Sequence, residues 1–129
     1  MSGRFLLDTN IVIALFGGEA ALQDDLGQAE EVFVPAIVLG ELYFGARKSG
    51  RVEENLARID EFALISPVLA CDAGTAKEFG VVKNELRRRG RPIPDNDLWI
   101  AAIARQCQLT LVTRDTHFEE IDGLKVAVW

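Results

Sequence analysis

Residues 5–16 read FLLDTNIVIALF, and the way this stretch breaks decides the fold. Residues 4–7 (RFLL) have the short apolar run of a buried strand. Asp8 interrupts it, and from Asn10 the apolar pattern resumes as a helix that runs to the Gly17–Gly18 pair. Strand, acidic turn and helix in succession open an α/β unit, in which strands alternate with helices around a parallel sheet. Asp8 is also the only charged side chain between Phe5 and Gly18. Burying an ionised carboxylate alone costs on the order of several kcal/mol, so its place beside a core strand needs compensation.

The rest of the chain repeats the alternation. Residues 19–29 predict a second helix, 31–35 (EVFVP) a second strand, and 36–48 a helix with Val38, Leu42 and Gly45 on one face. Residues 52–63 place Val52, Leu56, Ile59 and Ala63 at helical spacing, with Glu53, Glu54, Asp60 and Glu61 opposite. Residues 64–70 (LISPVLA) read as a third strand interrupted by Pro67. Asp72 reads as the cap of a long helix to Gly90 with Ala76, Phe79, Val82 and Leu86 as its stripe. A helix from Asp97, a strand at 109–113 (LTLVT), a helical turn at 115–121 and a final strand at 124–129 complete the pattern.

A chain of 129 residues and 14.2 kDa fits one domain over residues 1–129 with a real core. At 49% hydrophobic and 26% charged it is too apolar for a disordered chain. The net charge of −6 excludes a protein that coats nucleic acid through bulk positive charge. No apolar run approaches the roughly 20 residues of a membrane span, and the N-terminus lacks a signal-peptide pattern. Cys71 and Cys107 read as small core residues of a reducing compartment, which places the protein in the cytoplasm with no membrane partner.

Four acids stand apart from the solvated ones. Glu41 is the only charged residue between Val32 and Ala46, Asp97 precedes the apolar LWIAAIA, and Asp115 follows the strand LTLVT. Each has a plain structural reading: Asp8 and Asp97 as helix caps or first-turn acids, Asp115 as a turn residue, Glu41 as a group paired with Arg47 or Arg105. Position favours a joint one. Ligands of open parallel sheets bind beyond the carboxyl ends of the strands, where strand order reverses, and all four acids fall near that rim. Carboxylates gathered there repel unless a cation joins them, and oxygen ligands suit Mg²⁺ or Mn²⁺.

The segments FLLDTNIVIAL (5–15), VPAIVLGELYFGARKS (34–49) and RRRGRPIPDNDLWIAAIARQCQLTLVTRDTHFEEIDGLKVAVW (87–129) together resemble the PIN-domain ribonucleases, and within them the VapC-type toxins of toxin–antitoxin pairs. The resemblance runs nearly end to end. It implies a three-layer α/β/α domain with a central, mostly parallel twisted sheet, and Asp8, Glu41, Asp97 and Asp115 as catalytic residues holding Mg²⁺ or Mn²⁺. Thr9 and Asn10 would steady the first loop, and Asn96 and Thr113 would orient the carboxylates. It further implies hydrolysis of structured RNA by a metal-activated water, a cognate VapB-like antitoxin whose tail covers the site, and a homodimer through helices between Arg51 and Gly90. Asp95, outside the family pattern, reads as a helix cap.

Two cationic clusters supply the charge that RNA needs. KNELRRRGR holds Lys83, Arg87, Arg88, Arg89 and Arg91, and ARKSGR holds Arg47, Lys48 and Arg51. Solubilising helix ends account for the same residues. His117 reads as an unpaired turn residue, and Tyr43, Phe44 and Trp99 as core or subunit interface. A haloacid-dehalogenase-like phosphatase would need a second Asp where Asn10 stands. A receiver domain would need paired acids after the first strand and a Lys ending a late one.

Overall fold

A computed structural model describes residues 3–129. Five strands form one sheet in the order β3-β2-β1-β4-β5: β1 (Arg4–Leu7), β2 (Glu31–Pro35), β3 (Val68–Leu69), β4 (Thr110–Val112) and β5 (Val126–Ala127). All four strand pairings among the described residues are parallel. The helices are α1 (Thr9–Phe16), α2 (Ala20–Gln28), α3 (Ala36–Arg47), α4 (Val52–Ile65), α5 (Ala73–Arg88) and α6 (Asp95–Cys107). Phe5, Leu6 and Leu7 are all buried. Successive strand residues point to opposite faces, so the sheet is covered on both sides and the architecture has three layers.

Strand β1 lies between β2 and β4, with Leu7 beside Val112. The chain therefore reverses its direction of travel across the sheet at the β1/β4 pair, and a crevice opens beyond their carboxyl ends. Helix α6 is buried on several sides through Leu98, Ile100, Ala101, Ala102, Ile103 and Ala104. Its alanines let neighbours approach closely, and it packs against α5. Gln108 ends it in the left-handed region at φ 55°, and its backbone N–H donates to carbonyls of the last turn.

Several expectations are corrected. Leu64 and Ile65, read as strand, finish α4 and are 86% and 77% exposed, and the third strand begins only after Pro67. Apolar residues next to a proline carry both signals, and the helix absorbed them. Helix α3 buries Val38, Leu42 and Ala46, leaving Gly45 exposed. Helix α4 buries Ile59 and Phe62. Helix α5 buries Thr75 with Val82 and Leu86, while Ala76 faces out, because the Thr75 hydroxyl closes the cap at Asp72. Cys71 is exposed and so is no core residue, while Cys107 is half-buried and packs against the core. Phe44 is 63% exposed and carries the Lys48 ammonium over its ring, while Trp99 stacks on Phe79 at 4.0 Å.

Candidate active site

The β1/β4 register builds the centre of the site. The Asp8 backbone N–H donates to the Val112 carbonyl at 3.0 Å, which sets Asp8 beside Thr113. Asp8 also caps α1: its Oδ1 accepts the Thr9 N–H at 2.8 Å. Its Oδ2 accepts the Thr113 hydroxyl at 2.6 Å, and the Asn10 amide stands 3.5 Å away. Thr113 is buried and its Oγ1 in turn accepts the Asp115 N–H at 3.1 Å. Asn10 Oδ1 accepts the Arg114 N–H at 3.2 Å, so the first and fourth strands' loops are stitched on both sides.

Two further acids reach the rim from helices. Glu41 on α3 accepts the Thr9 hydroxyl at 2.8 Å, in place of the arginine partners the sequence suggested. Arg105 serves Glu78 and Glu85 instead. Asp97 stands in the first turn of α6, without a capping bond from its side chain, and its Oδ2 lies 3.0 Å from His117 Nε2. His117 belongs to a single 3-10 turn, Thr116–Glu120, that follows Asp115. Phe118 pins that turn: it is fully buried, which stabilises its placement by roughly 1.5–3 kcal/mol. Asp97, Asp115 and His117 bring one ligand atom each to within 4.8 Å of one another.

The electrostatics follow from this crowding. Burial pushes the Asp8 carboxyl above the usual carboxylate range, against the Thr113 hydroxyl and Thr9 N–H that favour its anion; the charge of Asp115 adds to the rise. Asp97 is raised too, first by burial and then by the Asp8 charge, with Asp115 and Glu41 adding to it and His117 opposing. Asp97 thus feels the charges of the other three acids across a single rim, and Asp8 feels that of Asp115. The donors fit a divalent cation: three further carboxylates whose charges bear on Asp97, and a His117 Nε2 shielded from solvent with no hydrogen-bond partner.

The PIN domain family model matches residues 5–124. The chain belongs to the PIN-domain family. Within it, this PIN domain is 38% identical over 130 residues to the tRNA(fMet)-specific endonuclease VapC of Shigella flexneri, covering 98% of each chain. It is 36% identical to ribonuclease VapC2 of Haemophilus influenzae, again over 98% of each. The DNA-bound VapBC structure from Salmonella typhimurium superposes with a TM-score of 0.92 at 32% identity, over 98% of each chain. The promoter-bound VapBC2 structure from Rickettsia felis gives 0.90 at 29% identity, over 100% of this chain and 99% of that one.

Other residues singled out in the sequence fall in different places on the PIN domain. Asn96 is exposed and makes no hydrogen bond to the four acids. Asp95 does not cap α6: Pro94 occupies that position, and the Asp95 carboxylate accepts from Lys83 at 3.1 Å. Arg87 leans on Asn84, Arg89 donates to the Glu120 carbonyl and pairs with Asp122, and Arg91 lies 3.8 Å from Glu120. Arg88, Arg47 and Lys48 are exposed. The sequence reading missed two contacts. His117 is not an isolated turn residue but Asp97's neighbour, and Arg114 makes a two-pronged pair with Glu19 at 2.8 and 3.1 Å. A polar turn has no periodicity that could reveal either; only the spacing of His117, two residues past Asp115, hinted at it.

Proposed function

We propose that this PIN domain is a metal-dependent endoribonuclease toxin of the VapBC type, acting on structured RNA, tRNA first, and held silent by a cognate VapB-like antitoxin. The observation that carries the reading is that the charges of Asp8, Glu41 and Asp115 all bear on Asp97 at the carboxyl ends of β1 and β4. The curated relatives named as ribonucleases or tRNA endonucleases support the activity and substrate class, and the VapBC structures support the partner.

Asp97 and Asp115 would hold a Mg²⁺ or Mn²⁺ ion, with Asp8 and Glu41 completing the anionic wall. Such an ion, when bound, lowers the pKa of a water and offsets charge on the scissile phosphate. Thr113 and the Thr9 N–H fix both oxygens of Asp8, so its carboxylate cannot rotate away from the rim. The Thr9 hydroxyl fixes Glu41 in the same way, leaving its second oxygen to orient a water against the phosphodiester. Asn10, whose Oδ1 accepts the Arg114 N–H, is a connector with no carboxyl proton to give, which sets the chain apart from a phosphatase with an acid at that place. Arg47, Lys48, Arg87, Arg88, Arg89 and Arg91 would steer the RNA backbone, and two copies of the chain would form the working dimer.

Incubation of the purified protein with tRNA and Mg²⁺ or Mn²⁺ tests this directly. Cleavage is expected to stop with EDTA and in Asp97→Asn; cleavage that persists in both would sink the mechanism.

A further inference from the structure

We propose that His117 supplies a nitrogen ligand to the cation at this rim, beside Asp97 and Asp115, and so makes the site prefer Mn²⁺ to Mg²⁺. The inference rests on the metal-dependent reading and goes beyond it by naming a ligand outside the acidic set.

Geometry carries it. His117 Nε2 stands 3.0 Å from Asp97 Oδ2. Two neighbouring ligands on an octahedral ion with bonds of about 2.1 Å are separated by about 3.0 Å, the length of the octahedron's edge. A histidine paired with an aspartate for its own sake would aim its N–H along the line to the oxygen. Here the nitrogen is buried and makes no hydrogen bond, to Asp97 or to anything else. The ring is not free to be there by accident: it sits 4.8 Å from the ring of Phe118, whose own side chain is fully buried. Asp115 brings a third ligand atom into the same space.

The chemical consequence is selectivity. Mg²⁺ takes oxygen ligands and dehydrates reluctantly, whereas first-row transition ions, of which Mn²⁺ binds most weakly, accept an imidazole nitrogen more readily than Mg²⁺ does. Exchanging one oxygen for a nitrogen therefore tips this site away from Mg²⁺.

The test uses the whole chain loaded with Mn²⁺. Pulsed EPR is expected to show ¹⁴N coupling from a directly bound imidazole, absent in both His117→Ala and His117→Gln. Binding isotherms should show Mn²⁺ weakened about tenfold or more in both variants, with Mg²⁺ changed less than about twofold. Bound Mn²⁺ without ¹⁴N coupling, or both ions weakened by the same factor, would overturn the proposal and leave His117 as a counter-charge. Asp97→Asn separates this from a wider failure. Mn²⁺ that binds, is lost in Asp97→Asn and shows no nitrogen coupling removes only His117. A native protein that binds neither ion removes the metal-dependent reading with it.

Discussion

Asp8 and Asp72 hold the same post at opposite ends of the molecule's chemistry. Each caps a helix in extended backbone, α1 and α5 respectively. Asp72 is surrounded by donors: the Thr75 N–H at 3.1 Å, the Gln106 amide at 2.7 Å and the Thr75 hydroxyl at 3.2 Å. Those bonds hold its carboxyl below the usual range, the Thr75 N–H foremost. Asp8 has comparable bonds, yet burial and the neighbouring Asp115 push it the other way. A cap that is content as an anion is architecture. A cap that is an anion at a cost, among other anions, awaits a cation.

Exchanging charge for shape at the two places should break the symmetry most visibly. Asp97→Asn, at the crowded rim with Asp8, is expected to lower cleavage more than about 100-fold, beyond what loss of a supporting hydrogen bond does, while raising the Tm of the metal-free protein. Asp72→Ala should do the reverse, leaving cleavage intact and lowering Tm by about 3 °C. Rates and melting curves on the two variants check the pair; equal losses of activity would erase the distinction.

Next in size is Thr113→Val. It keeps the shape of a buried residue but takes the hydroxyl from Asp8 Oδ2 and from the Asp115 N–H. Stability should fall by about 1–3 kcal/mol and cleavage by about 10–100-fold, measured by denaturant unfolding and by RNA cleavage.

pH sharpens the contrast without a mutation. Asp8 and Asp97 have pKa values raised above 3.8, so the folded chain holds more protons than the unfolded one between that value and the raised ones. Metal-free stability should therefore decline as pH climbs from about 4 through the raised values, and Asp97→Asn should flatten the decline. Asp72, lowered below 3.8, contributes above that pH and loses its contribution as pH falls through its lowered value. Melting temperatures across pH 3–8 in EDTA read both slopes; a native slope unchanged in Asp97→Asn would contradict the assignment. The smallest effect belongs to Arg88→Gln, expected to weaken RNA binding a few-fold and to reduce the slope of log affinity against log salt by about 1.

The fold was legible where a segment carries its own periodicity. Strands β1 and β2 appear at the predicted residues, and the acids that end or follow strands stand out because a charge in an apolar run is conspicuous. Strand β3 was not legible in extent, since two residues beyond a proline have no pattern. Asp95 was misjudged because Pro94 already holds the cap position and Lys83, twelve residues earlier, offers a partner. His117 was misjudged for the same kind of reason: its neighbour Asp97 lies twenty positions away on another element, and the turn that carries His117 is anchored by the buried Phe118.

The bond from Thr113 to Asp8 spans 105 positions of sequence. A nascent chain leaving the ribosome therefore exposes Asp8 long before the residue that steadies it exists, and so long a loop closes late. The carboxylate rim stays without its buried hydroxyl tether until residue 113 has emerged.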